Sequence, residues 1–369
     1  MVGLPEAAGA GAAQQAGGAF ARLLSSRRFQ AWAARVPGLR RIVRAEGAAI
    51  FDLIQGFVKS QVLMALVELD LLAQLARPRA PAELAPAAGL TGDRMAMLLQ
   101  AGAAAGLLRR RRDGRFVLSS RGAAFQGVPG LPAMVRHHAV LYRDLADPVG
   151  FLRGETAPDL ARFWPYVFGA AAAEDPATAQ RYSRLMEDSQ ALVAEDTLRL
   201  VDLSGVTHLM DVGGGTGAFL RAVAAAHPRL RLTLFDLPAV LSAARLPPAI
   251  ARAPGSFRDD DLPRGADAIS LVRVLYDHSD ATVGALLARC HAALPPGGRL
   301  IVSEPMSGGD RPDPSTDIYF AFYCAAMQTG RTRSPAEIAR LLAAAGFGGI
   351  IPRPGMRPFV TSAVVAWRT

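Results

Sequence analysis

Lysine is almost absent from this chain: among 369 residues Lys59 is the only one. Arginine carries the positive charge instead, and the formal net charge is +9 with a pI near 10.4. Such a balance suggests nucleic acid or an anionic membrane as partner, although an arginine- and alanine-rich composition is also what a GC-rich genome produces. Cysteine is scarce too. Cys290 and Cys324 sit in apolar contexts with no metal or redox spacing, which fits a reducing cytoplasm. No basic start leads into a long apolar run, so no signal peptide is expected. No stretch reaches the ~18 to 20 uncharged apolar residues of a membrane span. The expectation is a cytoplasmic protein, soluble or peripheral on the inner membrane.

The charge is uneven. Residues 1–46 carry Arg22, Arg27, Arg28, Arg35, Arg40, Arg41 and Arg44 against Glu6 and Glu46. Residues 1–18 are rich in Ala and Gly and read as disordered. Phe20, Leu23, Leu24, Phe29, Trp32 and Val36 then recur at helical spacing beside the arginines, up to Pro37-Gly38. That pattern suits a membrane-surface anchor, or equally a helix packed on the body or on a partner subunit. Three regions follow from the pattern: a basic extension over 1–48, a mostly helical domain over 49–200, and an α/β domain over 201–369.

The middle region reads as a long helix from Phe51 to Ala76, further helices around Pro81 and from Thr91, and a hairpin of Arg109–Arg112 and Arg115–Leu118 turning at Asp113-Gly114. Helices followed by a hairpin form a winged-helix arrangement, and four arginines in the wing raise DNA binding as an alternative. The helix from Asp93 offers little beyond Arg94 and Gln100 to read base edges, so dimerisation and substrate walling suit it better. Residues 131–200 read as helices with breaks at Trp164-Pro165 and Asp175-Pro176. His137-His138 has no carboxylate or Cys partner at ligand spacing, and no metal is expected.

The most informative segment is 208–218. An apolar strand (Leu209, Met210, Val212) runs into Gly213-Gly-Gly-Thr-Gly217 and then into a helical pattern. Such a turn lets a ligand approach bare backbone at a helix N-terminus. A second strand, residues 230–235, ends in Asp236, placed to hold a ribose diol, so the unit binds a nucleoside. Gly213, Gly215 and Ala218 also satisfy the dinucleotide fingerprint. However, Asp211 at the mouth of the turn would repel a pyrophosphate and welcome the cationic groups of S-adenosylmethionine. Strands over 266–273, 299–303 and 360–367 alternate with helices over 280–294 and from Ser334, a capping-box start. The fold class is α/β: a mostly α, winged-helix-like N-terminal domain and a Rossmann-like doubly wound sheet with Asp211, Asp236, Tyr276 and Glu304 at strand ends.

Five motifs in order, residues 211–217, 235–238, 274–280, 294–305 and 329–334, resemble the S-adenosylmethionine-dependent O-methyltransferases that join a winged-helix dimerisation domain to a Rossmann-like domain. The resemblance spans roughly residues 50–369. Tyr276-Asp-His278 and the segments 141–148 and 317–323 are closest to the branch that methylates tertiary 1-hydroxy groups of acyclic carotenoids, with bacteriochlorophyllide or phenolic polyketide acceptors as alternatives. It implies S-adenosylmethionine as cofactor, a homodimer and a lipophilic small-molecule substrate; a bilayer-dissolved substrate would give the basic N-terminus a peripheral membrane contact, and the poor base-reading helix argues against nucleic acid as partner. Carried over from the family, Asp211, Gly213, Gly215, Gly217, Asp236, Leu237, Ser256, Phe257 and Arg273 hold the cofactor. Ser256 stands where the family commonly has an Asp for the adenine amine. The family's His-Asp-Trp is here Tyr276, Asp277 and His278, and its second acid is Thr332, while Glu304 is retained. Tyr276 with Glu304 is expected to position the acceptor, with His278 as a substitute base. Met134, Leu141, Trp164, Phe168, Phe320, Phe322, Tyr323 and Met327 are candidates for a polyene tunnel.

Overall fold

In the computed structural model, described for residues 21–163 and 190–369, packing divides the chain into one unit ending at Gly122 and a second beginning at Ala123. The sequence boundary at residue 200 differs because the helices of 131–163 pack with the second unit: Leu141, Phe151 and Leu160 share a core with Tyr323 and Met327.

In the first unit, helices Arg27–Ala33 and Pro37–Ile54 lead into Gly56–Glu68 and Leu71–Gln74. The long helix expected over 51–76 thus begins earlier and is broken, once at Gln55 and again where Asp70 takes a left-handed φ of 50°. No single described helix is long and apolar enough to cross a membrane; Pro37–Ile54 and Gly56–Glu68, bent by 54°, reach that length and composition only as a pair. Thr91 caps the helix Gly92–Ala104 by accepting from the Arg94 N–H. Strands β1 (Leu108–Arg110) and β2 (Phe116–Leu118) pair antiparallel around Gly114, whose φ of 81° the Asp-Gly turn requires. The helices and hairpin form the expected wing, with Arg109–Arg112 exposed.

The second unit is built on a seven-stranded sheet ordered β5-β4-β3-β6-β7-β9-β8. Its strands are β3 (His208–Val212), β4 (Arg231–Asp236), β5 (Ile250–Pro254), β6 (Ala268–Val272), β7 (Arg299–Glu304), β8 (Phe347–Arg353) and β9 (Ser362–Arg368). Strands β3 to β7 run parallel, whereas β9 is antiparallel to both β7 and β8. The central strands are largely apolar because helices cover both faces, the buried polar residues Asp211, Ser270, Ser303 and Glu304 excepted. Alternation along each strand makes two cores: Met210, Leu271 and Leu300 on one face, Leu209, Leu232 and Ile301 on the other. β3 is flanked by β4 on one side and β6 on the other, so the chain reverses its direction of travel across the sheet there. Ligands of doubly wound sheets sit in the crevice such a reversal opens at the strand C-termini.

Candidate active site

At that reversal β3 delivers Asp211, fully buried, one strand end away from β6. Its Oδ1 accepts a 2.6 Å hydrogen bond from Ser270 Oγ, and its Oδ2 has no partner. Burial pushes its pKa up to about 7. A Cβ at Gly214 would fall 2.1 Å from that oxygen, so only glycine lets the carboxyl lie against the turn. Gly213, Gly215 and Gly217 all have positive φ, which completes a cradle of bare backbone. Beside it the Asp236 carboxylate accepts from the N–H groups of Gly215 (2.8 Å) and Leu237 (2.7 Å). These bonds fix its position against the turn and leave acceptor capacity on both oxygens. Burial raises it to about 6.

Phe257 lies across the turn, close enough that a Cβ on Gly213 would come within 3.5 Å of it. Its neighbour Ser256 donates to Asp259 Oδ2 and takes Asp260 Oδ2 on its own N–H. Two carboxylates therefore stand three and four residues beyond the position where the family carries its acid. Their offset from the family position hides them from a position-by-position reading of the sequence. The orphaned Asp211 oxygen, the glycine cradle and the half-buried acid at the end of β4 suit the amino group, chain and ribose of S-adenosylmethionine.

Tyr276 sits in a 3-10 turn, Leu275–Asp277, above the end of β7. Its N–H donates to Glu304 Oε2 at 3.2 Å; Glu304 is fully buried, raised to about 7, and keeps Oε1 without a partner. Burial pushes the Tyr276 hydroxyl well above its ordinary range, and Asp277 is raised likewise. Arg273, held at a left-handed φ of 56°, lays its guanidinium about 6 Å from the rings of both Tyr276 and Phe320. His278 is carried the other way. Its ring meets Phe257 edge-on at 5.2 Å, and Nδ1 faces Arg258 Nη2 at 3.1 Å; burial, with the charges of Arg258 and Arg333 beside it, lowers it to about 4. The fold thus groups Tyr276, Glu304 and Arg273 together and places His278 beside the cofactor cradle.

The residue that ties down this turn was not singled out from sequence. Arg333, fully buried, donates to the carbonyls of Leu275 (2.7 Å) and His278 (2.8 Å) and to Asp280. Arg333 lies in the motif 329–334 beside Thr332, and a polar run of this kind gives no sign that one of its arginines is buried. Gly330 permits the close approach: a Cβ there would strike the Tyr276 carbonyl at 2.0 Å. Of the tunnel candidates, Phe320 packs edge-on to Tyr276, and Leu141, Phe322, Tyr323 and Met327 share one cluster. Trp164 and Phe168 lie outside the described residues. Among the described residues no His, Cys, Asp and Glu group has a metal-holding arrangement.

An O-methyltransferase domain model matches residues 142–348, and an O-methyltransferase dimerisation domain model matches residues 51–125. The chain belongs to the O-methyltransferase family. S-adenosylmethionine is the methyl donor of that family, which agrees with the cradle. The chain is 63% identical to demethylspheroidene O-methyltransferase of Cereibacter sphaeroides, over 94% of each chain. It is 58% identical to the enzyme of that name from Rhodobacter capsulatus, over 95% of this chain and 89% of that one. Among solved structures, the mitomycin 7-O-methyltransferase MmcR superposes with a TM-score of 0.73 at 26% identity, covering 89% of this chain and 100% of that one. These matches favour the methyltransferase reading of the wing and helices over DNA binding.

Proposed function

We propose that this enzyme methylates the tertiary 1-hydroxy group of an acyclic carotenoid of the demethylspheroidene type. The observation that carries the reading is the 63% identity, along almost the whole of both chains, to an enzyme named for that substrate. When bound, S-adenosylmethionine supplies an electrophilic methyl group; the protein has to align the acceptor with it and keep water out. In this reading Asp211 and the turn Gly213–Gly217 take the methionine portion, and Asp236 with Leu237 the ribose. Phe257, Ser256 and His278 wall the adenine. Tyr276 positions the acceptor, Glu304 holds the backbone of Tyr276, and Arg273 braces its ring. The stacked Phe151 and Phe322, 6.2 Å apart, with Leu141 and Met327, offer the apolar surface a polyene needs.

The dimerisation domain supports a homodimer, and we assign the exposed apolar side chains of 50–57 to that contact. The arginines of residues 22–44 suit an anionic membrane surface, where a bilayer-dissolved substrate would be met. The reading is tested by methyl transfer from labelled S-adenosylmethionine to a panel of a 1-hydroxylated acyclic carotenoid in detergent, a phenolic polyketide and a bacteriochlorophyllide. Label in the carotenoid ether is expected; label only in another acceptor would overturn the substrate.

A further inference from the structure

A hydroxyl that is methylated must lose its proton, and position 276 carries a phenol in place of an imidazole. Most other groups around the turn Leu275–Asp277 are already engaged. His278 Nδ1 lies 3.1 Å from Arg258 Nη2, and a guanidinium can only donate. Nδ1 is therefore the acceptor of that bond and the ring proton sits on Nε2, which leaves no basic lone pair. Glu304 is completely buried beneath the turn, where it takes the backbone N–H groups of Tyr276 and Leu275. His137 Nε2 and His138 Nε2 pair with the hydroxyls of Tyr323 and Tyr319 at 2.8 and 2.7 Å, and Phe320 stands between those tyrosines and Tyr276.

Asp277 is the exception. Its backbone is used: the N–H donates to the Val274 carbonyl at 3.3 Å, and the carbonyl accepts from Thr329 Oγ1 at 2.9 Å. Its carboxyl is not. The residue is 8% exposed, and Oδ1 is buried without a hydrogen-bond partner. Interiors pair nearly all such oxygens because an unpaired one costs free energy, so an orphan here calls for a ligand. Segment 329–330 closes the backbone side of the turn, since a Cβ at Gly330 would strike the Tyr276 carbonyl at 2.0 Å and the Asp277 carbonyl carbon at 2.5 Å. Asp277 follows Tyr276 directly, on a Cα about 3.8 Å away. The groups facing its carboxyl are Arg273 at the end of β6, Tyr276, Glu304 at the end of β7, and Cys324 on the helix Ala321–Met327. Arg273 also lies 6.0 Å from the Tyr276 ring, so one guanidinium serves both side chains of the turn. Cys324 is flanked on its helix by Tyr323 and Met327, members of the proposed polyene wall. The free carboxyl thus stands where the crevice at the strand ends meets that apolar wall. Burial pushes it well above the usual carboxylate range, which makes its ionised form a stronger base than an exposed one.

Resting on the O-methylation proposed above, we propose that Asp277 is the catalytic base: its free oxygen holds the acceptor's hydroxyl and takes the proton during transfer. The acceptor O–H bond breaks and its proton bonds to the carboxylate. The oxygen forms the new C–O bond, and the methyl–sulfur bond breaks with its electron pair left on sulfur. One negative charge disappears at Asp277 as one positive charge disappears at the sulfonium, so the net charge of the site is unchanged. Tyr276, a buried phenol that keeps its proton, guides the acceptor oxygen from the next position, and Arg273 offsets the carboxylate before transfer.

The test compares full-length wild type with Asp277→Asn, which keeps the shape of the side chain, and Asp277→Glu, which keeps the acid. Single-turnover transfer to the 1-hydroxylated carotenoid, at saturating S-adenosylmethionine, is followed over about pH 5 to 9. The wild-type rate should climb as Asp277 ionises and then level, because the carboxylate is the active form. Asp277→Asn should lose about 100-fold at pH 7, the scale of general-base catalysis, and its remaining rate should follow hydroxide. Its cofactor affinity by calorimetry should stay within about threefold, well short of the tenfold that 1.4 kcal/mol represents. In the cofactor-free protein at pH 6, the infrared difference between wild type and Asp277→Asn should show one protonated carboxyl. An ionised one would mean that a donor already holds it, and overturns the proposal. So does an Asn variant that is as fast as wild type, or one that is slow but keeps the wild-type pH profile. Should Asp277→Asn lose cofactor binding, Asp277→Glu decides: an acid limb displaced from that of wild type supports the base, and an unmoved one overturns it. Transfer only to another acceptor of the panel overturns the substrate reading alone, and the variants are then compared on that acceptor.

Discussion

Asp211 is a fully buried carboxyl with one oxygen on Ser270 and the other unpartnered. Its folded pKa of about 7 lies above the unfolded value near 4, so the folded protein holds this proton more tightly. The stability it contributes is complete below pH ~4 and is lost as pH rises through about 7. His137 and His278, lowered to about 4, act oppositely across the same window, because the unfolded chain binds their protons more tightly. The comparison with Asp211→Asn removes that background. The Tm advantage of the variant over wild type, without ligand, should grow from pH 5 to pH 8. The price of the neutral side chain is paid in cofactor binding, where the variant should be about 10- to 100-fold weaker at pH 8, the scale of a charge-assisted hydrogen bond. Below pH 7 the deficit should shrink, since the wild-type carboxyl is then itself neutral in the free enzyme; titration calorimetry at both pH values checks this. Arg333 is the second residue whose chemistry is specific. Its fork spans Leu275 O, His278 O and Asp280, a geometry lysine cannot reproduce. Arg333→Lys should lower stability by about 2–4 kcal/mol in urea unfolding, as a buried network loses a member. It should also cut kcat more than it raises KM for the cofactor, because the turn it holds carries Tyr276. Equal losses in both would place its role in general stability instead.

The glycine turn was the most legible element in the sequence, and its geometry explains why. At Gly217 φ is 76°, a left-handed conformation that favours glycine, and an added Cβ would in addition push the Leu246 side-chain tip aside. Gly217→Ala should cost about 1–3 kcal/mol through backbone strain and overpacking. Cofactor binding should fall at least tenfold as the turn shifts, which equilibrium dialysis against labelled S-adenosylmethionine measures. The capping box of Ser334 and Glu337 was equally legible, since both reciprocal bonds form. Less was readable at the sheet edges. β5 is the five-residue strand Ile-Ala-Arg-Ala-Pro, interrupted by Arg252 and closed by Pro254, and β8 begins Phe347-Gly-Gly with a bulge between Gly348 and Ile351. Neither shows the apolar run that marks β6, because an edge strand is not buried on both faces. In the site, strand-end residues such as Asp211, Asp236 and Glu304 could be placed from sequence because sheet geometry fixes them. The pairing of His137 with Tyr323 could not, since 186 residues separate the two and only helix packing brings them together.

Across the whole molecule, burial and charge belong to different segments. Ile50, Phe51, Leu53, Ile54 and Phe57 are each more than half exposed, and Leu53 is 81% exposed. Five large apolar side chains within eight residues make a patch that a soluble monomer rarely leaves open, and the dimerisation model begins at residue 51. If a second copy covers them, Leu53→Glu/Phe57→Glu buries two charges at the contact and should convert the particle from twice the chain mass of 38.9 kDa to once. Sedimentation equilibrium distinguishes the two, and a wild-type monomer would contradict the assignment. With residues 50–57 assigned to the dimer, the proposed membrane contact falls to residues 22–44, whose arginines would attract anionic lipid by about 1 kcal/mol each near the surface, screened by salt, beside the exposed Leu23, Leu24 and Trp32. Binding to vesicles containing phosphatidylserine should therefore be strong at 50 mM salt as a chosen condition, at which the screening length is still about 14 Å, and largely lost near 1 M, at about 3 Å. Deleting residues 1–46 should abolish it while leaving methyl transfer to a detergent-solubilised acceptor intact. Vesicle binding that survives both high salt and the deletion would instead mean that apolar side chains insert. The patch at 50–57 would then be facing lipid rather than a second subunit, and the Leu53→Glu/Phe57→Glu chain would lose vesicles without changing mass.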